Sequence, residues 1–305
     1  MTKKPILVTG THRSGTTWIG QILAKAPNVG YIYEPFNIEP RPSYSAVLNA
    51  HWFEYVSDVS DGRQKGVSGS FDNVVNFKYP WKENIHRIKT IHDCARYGRD
   101  LSKTLINRSL SRRPLVKDPI AFFSAEWMHQ NFDAIPVCIS RHPAAFCSSL
   151  KVKDWQFDFD HFRTQSNFKK LLSKSLLNSI NEAKGLNIIE QGILLWNIFN
   201  HVLLQYKEKY PEWIYIRHED VSRDPIKEFQ ILFEKLGLKY TTRVKKHILH
   251  ISGTRNPSEQ SKNEFRRNSI ENISNWKHRL SDTEISRIRE GTEAIASHFY
   301  SSDDW

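Results

Sequence analysis

The sequence predicts a three-layer α/β domain in which helices flank a central parallel sheet. Two observations carry this. Short apolar runs rich in β-branched and aromatic residues alternate with stretches of helical period. The first two runs and the helix between them fit within about thirty residues, the length of one β-α-β unit with a right-handed crossover. At 305 residues the chain can bury one large core. No repeat, low-complexity tract or linker divides it, so a single domain spanning 1–305 is expected.

Ile6-Leu7-Val8 reads as the first buried strand, leading into Thr9-Gly10-Thr11-His12-Arg13-Ser14-Gly15. Thr16 to Ala26 reads as a helix, with Ile19, Ile22, Leu23 and Ala26 on one face and Pro27 ending it. Tyr31-Ile32-Tyr33 is a second strand, left through Glu34-Pro35-Phe36. Residues 37–112 are irregular and mix aromatics with charges. Leu115-Val116-Lys117 is a third strand ending at Asp118-Pro119. Ile135 to Ile139 is a fourth, followed by Ser140-Arg141 and a helix that starts at Pro143, a favoured first-turn residue. Residues 151–186 are polar and basic without a clear sheet element. Ile189 to Tyr206 is apolar on most faces and predicts a core helix. Trp213 to Ile216 is the fifth strand, leaving through Arg217-His218-Glu219-Asp220. Asp224-Pro225 starts a helix that runs to about Leu236, with Gly237 as its stop. Residues 252–276 read as loop, and Ser281 with Glu284 forms a capping box for the last helix, which reaches about Phe299.

Lysine plus arginine outnumber aspartate plus glutamate by 44 to 33, a net charge of +11, which fits an anionic ligand. The cations are scattered without a basic tail, so nucleic acid is not specifically signalled and is not expected as a partner. Cys94, Cys138 and Cys147 are too few and irregular for a disulfide framework or a zinc site. A reducing, cytoplasmic setting is therefore expected. No apolar stretch approaches the ~18 residues of a membrane span, and no leader is legible before the first strand.

The segment from Val8 to Trp18 carries the chemistry. A strand enters a glycine-bearing turn and a helix begins at a hydroxyl pair, a geometry that aims backbone N–H groups and a positive helix end at an anion. The domain is thus expected to be P-loop-like. A phosphate-binding loop of the ATPase kind would place lysine after its second glycine. Here Gly10 and Gly15 have that spacing, but Thr16 stands in the lysine position and the loop's cation is Arg13. Without that lysine a kinase or NTPase lacks its main charge clamp. A kinase-like enzyme and a non-catalytic nucleotide-binding module are the alternatives kept.

Arg13-Ser14-Gly15-Thr16-Thr17-Trp18 resembles the 5′-phosphosulfate loop of sulfotransferases that use 3′-phosphoadenosine 5′-phosphosulfate (PAPS) and release adenosine 3′,5′-bisphosphate (PAP). A second segment is similar to the family's 3′-phosphate site: Arg141 at a strand end, then Ser149 eight positions later on the next helix. A third match is Arg266-Arg267, a basic pair before Trp276. It departs from the family pattern by two extra residues and by Asn268 in place of a glycine. The resemblance covers Pro5 to about Leu280.

It implies sulfuryl transfer from PAPS as co-substrate to a hydroxyl. Arg13, Ser14, Gly15, Thr16, Thr17, Trp18, Arg141, Ser149, His218, Arg266 and Arg267 would bind the nucleotide, with Trp18 and His218 near adenine. Arg13 would stabilise the leaving oxygen by charge alone, since arginine keeps its proton. The cytosolic enzymes draw their base histidine from a Lys-Thr-His segment. This chain has Lys117-Asp118-Pro119 at the comparable strand. Tyrosylprotein and glycan enzymes instead place a glutamate at the end of the second strand, where Glu34 stands. Glu34 is therefore the expected base, with Asp118 as the alternative and Lys117 beside it. The same resemblance, with the aromatic and polar mixture of 37–112, points to an acceptor-side insertion there and to a carbohydrate or glycolipid acceptor. No metal is expected, because no cluster of His or Cys has ligand spacing.

Overall fold

A computed structural model describes residues 3–38, 47, 49–56, 62–79, 88–252 and 271–305. Five strands, β1 (Ile6–Gly10), β2 (Val29–Tyr33), β3 (Arg113–Lys117), β4 (Ile135–Ser140) and β5 (Ile214–Arg217), form one sheet in the order β2-β3-β1-β4-β5. Every pairing is parallel. β1 and β2 flank a helix in sequence but not each other in the sheet, because β3 lies between them. β1 runs two residues beyond its apolar core, since Thr9 and Gly10 continue the ladder with Cys138 and Ile139.

Alternation along the strands divides the core in two. Leu7, Val116 and Cys138 face one layer, where the helices Ala125–Phe132, Pro143–Lys153, Ile188–Lys209 and Asp282–Ala296 pack. Ile6, Val8, Leu115, Val137 and Ile139 face the other, covered by α1 (Thr16–Leu23) and the helices Pro225–Lys235 and Thr242–Ile251. The domain is thus a three-layer α/β structure.

Local chemistry sets the ends of these elements. Asp224 accepts from the Lys227 amide at 3.1 Å and starts its helix, and Gly237 closes that turn at φ 62°. Ser281 and Glu284 form a reciprocal capping box. The last helix ends at Ala296, and α1 ends at Leu23, each three residues short of its expected end. Residues 151–186, which carry no strand, hold the short helices Asp160–Arg163 and Lys174–Asn181. Between β2 and β3 lie the helices Gly62–Val75 and Ile91–Ser109.

The topology also places the site. From β1 the chain moves first toward β2 and later, after β3, toward β4. The neighbours of β1 therefore diverge at its carboxyl end, and a crevice opens there. Gly10 ends β1 at φ 142°, and a Cβ built on it would stand 2.2 Å from the Ile139 carbonyl oxygen. Only glycine lets β1 and β4 close to that distance where the loop begins.

Candidate active site

The loop after β1 is held by itself. The Ser14 hydroxyl donates to the Thr11 carbonyl at 2.6 Å, and the Ser14 amide donates to the same oxygen at 3.2 Å. Ser14 is fully buried, and its side chain folds the loop. Gly15 stands before α1 at φ 92°, and a Cβ there would meet His218 Nδ1 at 2.5 Å. Glycine is thus needed both for the backbone hand and for the histidine that packs on it. The first-turn amides of α1 have no preceding carbonyl within the helix, and no acidic residue occupies that turn. The positive end of α1 is left for an anion.

Arg141 and Ser149, both distant in sequence, converge on Arg13, itself in the left-handed region at φ 65°. Its Nε donates to the Ser149 hydroxyl at 2.9 Å, and its carbonyl accepts from Arg141 Nη1 at 2.6 Å. Arg141 leaves β4 with its own carbonyl held by Trp196 Nε1 at 2.8 Å. The two sequence segments that resemble phosphate sites are therefore joined here by direct bonds. Ser149 is buried and its oxygen is engaged by Arg13, while the hydroxyl proton stays available to donate.

Glu34 leaves β2 at φ 42°, a second strained backbone position in the same crevice. Its amide donates to the Lys117 carbonyl at 2.9 Å, and Lys117 Nζ donates to its Oε1. Lys117 is almost wholly buried and lies 4.1 Å over the Tyr33 ring. Burial pulls its pKa down, partly offset by Glu34. Asp118 is fully buried. Its Oδ2 accepts from the Phe36 amide at 2.7 Å, and its Oδ1 accepts from the amides of Ile120 at 2.9 Å and Ala121 at 3.3 Å. Burial, and then the charge of Glu34, push its pKa up to about 7. Its oxygens are occupied in tying the exits of β2 and β3 together.

A cavity of about 480 Å³ unites these groups, within the range of small-molecule sites. Arg13, Gly15, Thr16, Thr17, Trp18 and His218 line one side, and Tyr33, Glu34 and Lys117 line another. Arg141 reaches it, whereas Ser14, Asp118 and Ser149 do not line it. Trp18 packs edge-on to His218 and Phe229, at 5.8 and 5.4 Å between ring centres. Arg266 and Arg267 lie outside the described residues. Trp276, which follows them, stacks on His142 at 5.1 Å, next to Arg141. Among the described residues no group of three or more His, Cys, Asp and Glu side chains is placed to hold a metal ion. Likewise, no described helix is long and apolar enough to cross a membrane.

The cavity is also lined by Asn37, Trp52 and Phe53, from the stretch 37–112 expected on the acceptor side, and by His12 and Trp155, which sequence reasoning did not single out. His12 sits among Phe53, Phe146, Trp155 and Phe199, with centroids 4.3 to 6.0 Å away. Burial, with Arg13 beside it, drives its pKa down to about 3. A histidine held neutral in this way costs stability once the unfolded chain takes up protons, so its contribution is lost as pH falls from 6.5 toward 3. His12→Phe is therefore expected to gain on the parent by about 1.4 kcal/mol per pH unit across that window. Urea titrations of both proteins at several pH values check this. A difference independent of pH would place the proton elsewhere.

Comparison with known proteins identifies the family. The profile of the sulfotransferase family matches residues 5–242. Among solved structures, the sulfotransferase domain of the Synechococcus PCC 7002 olefin synthase is 16% identical, with 98% of this chain and 96% of that chain covered and a TM-score of 0.47. The mouse sulfotransferase SULT7A1, solved with PAP, is 12% identical over 100% of this chain and 87% of its own, with a TM-score of 0.48. The sulfotransferase STF9 of Mycobacterium avium is 16% identical, covers 98% and 77%, and has a TM-score of 0.46. No curated protein matches by sequence. With its family profile spanning the loop after β1, the Glu34 turn, Lys117 and the Arg141 strand end, the chain belongs to the sulfotransferase family.

Proposed function

We propose that this protein transfers the sulfuryl group of PAPS to the hydroxyl of a carbohydrate or glycolipid. The observation that carries the proposal is the meeting of Arg13 with Arg141 and Ser149 at the positive end of α1, where Arg13 and Arg141 border the cavity that also holds Glu34 and Ser149 lies just behind Arg13. The residues fit the nucleotide. The α1 amides and Arg13 would take the phosphosulfate, and Arg141 with the Ser149 proton would take the 3′-phosphate, with Arg266 and Arg267 as further candidates. Trp18 and His218 offer ring edges and faces on the same side for the base.

In the reaction the acceptor oxygen forms a bond to sulfur as the bond from sulfur to the bridging oxygen breaks. Glu34 takes the acceptor's proton, and Arg13 stabilises charge on the leaving oxygen. Lys117 orients Glu34 through its bond to Oε1. Asp118 holds the turn and is not the base in this reading. The segment between β2 and β3 supplies Asn37, Trp52 and Phe53 to the acceptor side, a polar group and flat faces against which a sugar ring can lie. This supports the glycan reading, and a mass-shift screen of hydroxyl acceptors with PAPS identifies the acceptor.

The nucleotide half of the proposal is tested first. PAP is expected to raise the melting temperature and ATP with magnesium is not, because ATP lacks the 3′-phosphate. At a hundredfold excess over its dissociation constant PAP adds ~2.7 kcal/mol of stability. Equal shifts with both nucleotides would remove the 3′-phosphate site and return the kinase-like alternative.

A further inference from the structure

The helix Ile91–Ser109 is amphipathic in the reverse of the usual sense. Thr90 and Asp93 cap it reciprocally, so its start is well defined. Toward the body it buries Asp100 and Asn107, both polar. Toward solvent it turns its apolar side chains. Ile91 is 87% exposed, and Leu105, Ile106 and Leu110 are each about half exposed. Large exposed apolar residues normally stand singly. Of the eight among the described residues, four fall on this helix and its C-cap, and the other four are scattered over three further regions.

The charges on the helix are sorted as well. His92, Arg96, Arg99 and Lys103 recur at i, i+4, i+7 and i+11, which draws one stripe along a helix. At 3.6 residues per turn that stripe runs beside Ile106 and Leu110, with Ile91 and Leu105 further round the same exposed side. The two acids are turned away: Asp93 is engaged in the cap and Asp100 is buried, with Arg99 Nε 3.1 Å from its Oδ1. The outward side of this helix thus carries apolar residues at its two ends, Ile91 at the first and Leu105, Ile106 and Leu110 at the last, with cations alongside and no carboxylate among the helix's own residues on that side.

We infer that this helix docks, lying in the plane of the interface, on an anionic phospholipid surface. Apolar side chains that enter the headgroup boundary, beside a row of cations over acidic lipid, are the recognised physics of such attachment. The charge pattern selects this occupant over a second copy of the chain. A two-fold contact sets the same patch against itself, and the basic stripe would then face its own image. The inference is independent of the reaction, and holds whether the acceptor is a glycolipid or a soluble glycan.

Vesicle flotation of the full chain tests it. The protein is expected to float with vesicles of phosphatidylcholine containing phosphatidylserine, to stay behind with phosphatidylcholine alone, and to release as salt rises. Arg96→Gln and Lys103→Gln should each lower partitioning about fivefold. The double variant Leu105→Ser, Ile106→Ser should lose flotation with its charge unchanged. Arg96 and Lys103 face solvent and Leu105 and Ile106 are about half exposed, so each variant should still melt cooperatively, and flotation read well below its melting temperature separates lost docking from lost folding. A parent that ignores anionic vesicles, or that floats equally well in both kinds of variant, overturns the inference. So does a parent dimer, seen by light scattering, that Leu105→Ser with Ile106→Ser converts to monomer, since the face would then belong to a second copy.

Discussion

Replacing Glu34 by glutamine is expected to lower turnover about 10²- to 10⁴-fold, the usual cost of removing a general base. The amide keeps the shape and leaves an oxygen for Lys117 Nζ, which now donates to Oε1 of the carboxylate. It cannot accept the acceptor's proton. Some stability is lost, because the buried Lys117 ammonium loses the Glu34 charge and keeps, among the described residues, Asp118 and the Tyr33 ring as its electrostatic partners. Turnover is therefore to be read well below the melting temperature, with PAP affinity as the control. Asp118→Asn is the necessary comparison. Its carboxylate takes three backbone N–H groups, and an amide would turn an NH₂ against one of them. That substitution should cost about 1–3 kcal/mol of stability, the penalty of an unsatisfied buried donor, and less in turnover than Glu34→Gln. With an identified acceptor, or with PAPS hydrolysis as a slow surrogate, an active Glu34→Gln beside a dead Asp118→Asn would move the base to Asp118 and remove the main support for a glycan acceptor.

Arg141→Ala should weaken PAP binding about a hundredfold or more, because it deletes two or more charge-assisted hydrogen bonds to phosphate. The fold should survive. The backbone at this corner is held by Trp196 through the Arg141 carbonyl and by Glu219, which accepts from the His142 amide at 2.9 Å. The bond from Arg141 to the Arg13 carbonyl is also lost, so the loop after β1 loosens and adds to the effect. Calorimetric titration with PAP and with adenosine 5′-phosphosulfate separates the two contributions. A loss confined to PAP assigns Arg141 to the 3′-phosphate, and an equal loss with both ligands assigns it to the loop. Parental affinity for PAP would break the proposed nucleotide site.

The strands and the loop after β1 were legible because each is a local signal: a short β-branched run, a glycine pair, a hydroxyl pair. What was not legible depends on which strands become neighbours. Glu34 and Lys117 are 83 positions apart, and only the register of Tyr33 with Lys117 on β2 and β3 makes them a pair. Ser14 lies within a motif, yet both its donors turn inward to Thr11, a detail fixed by the three-dimensional closure of the turn. His12 and Trp155 gave no joint signal, since they are far apart in sequence and only the fold brings their rings to 4.3 Å. The helix Ile91–Ser109 escaped recognition because its apolar face does not turn to the core, and facing the core is the premise on which amphipathic patterns are read. Helix ends were misjudged by a few residues where apolar residues continue past the last turn, as at Ala26 and Phe299.

The tie between the exits of β2 and β3 has a consequence for how such a protein diversifies. The Glu34 amide meets the Lys117 carbonyl, and the Phe36 amide meets the Asp118 carboxylate, so the chain leaves the sheet and returns to it at fixed neighbouring points. Everything between them is spliced into a closed bracket. Exchanging that stretch alters the wall carrying Trp52 and Phe53 without moving the carboxylate at position 34 or the amine at 117. A change in that stretch can therefore revise what the cavity admits as a cassette, while the Glu34–Lys117 pair, secured by the sheet, stays in place.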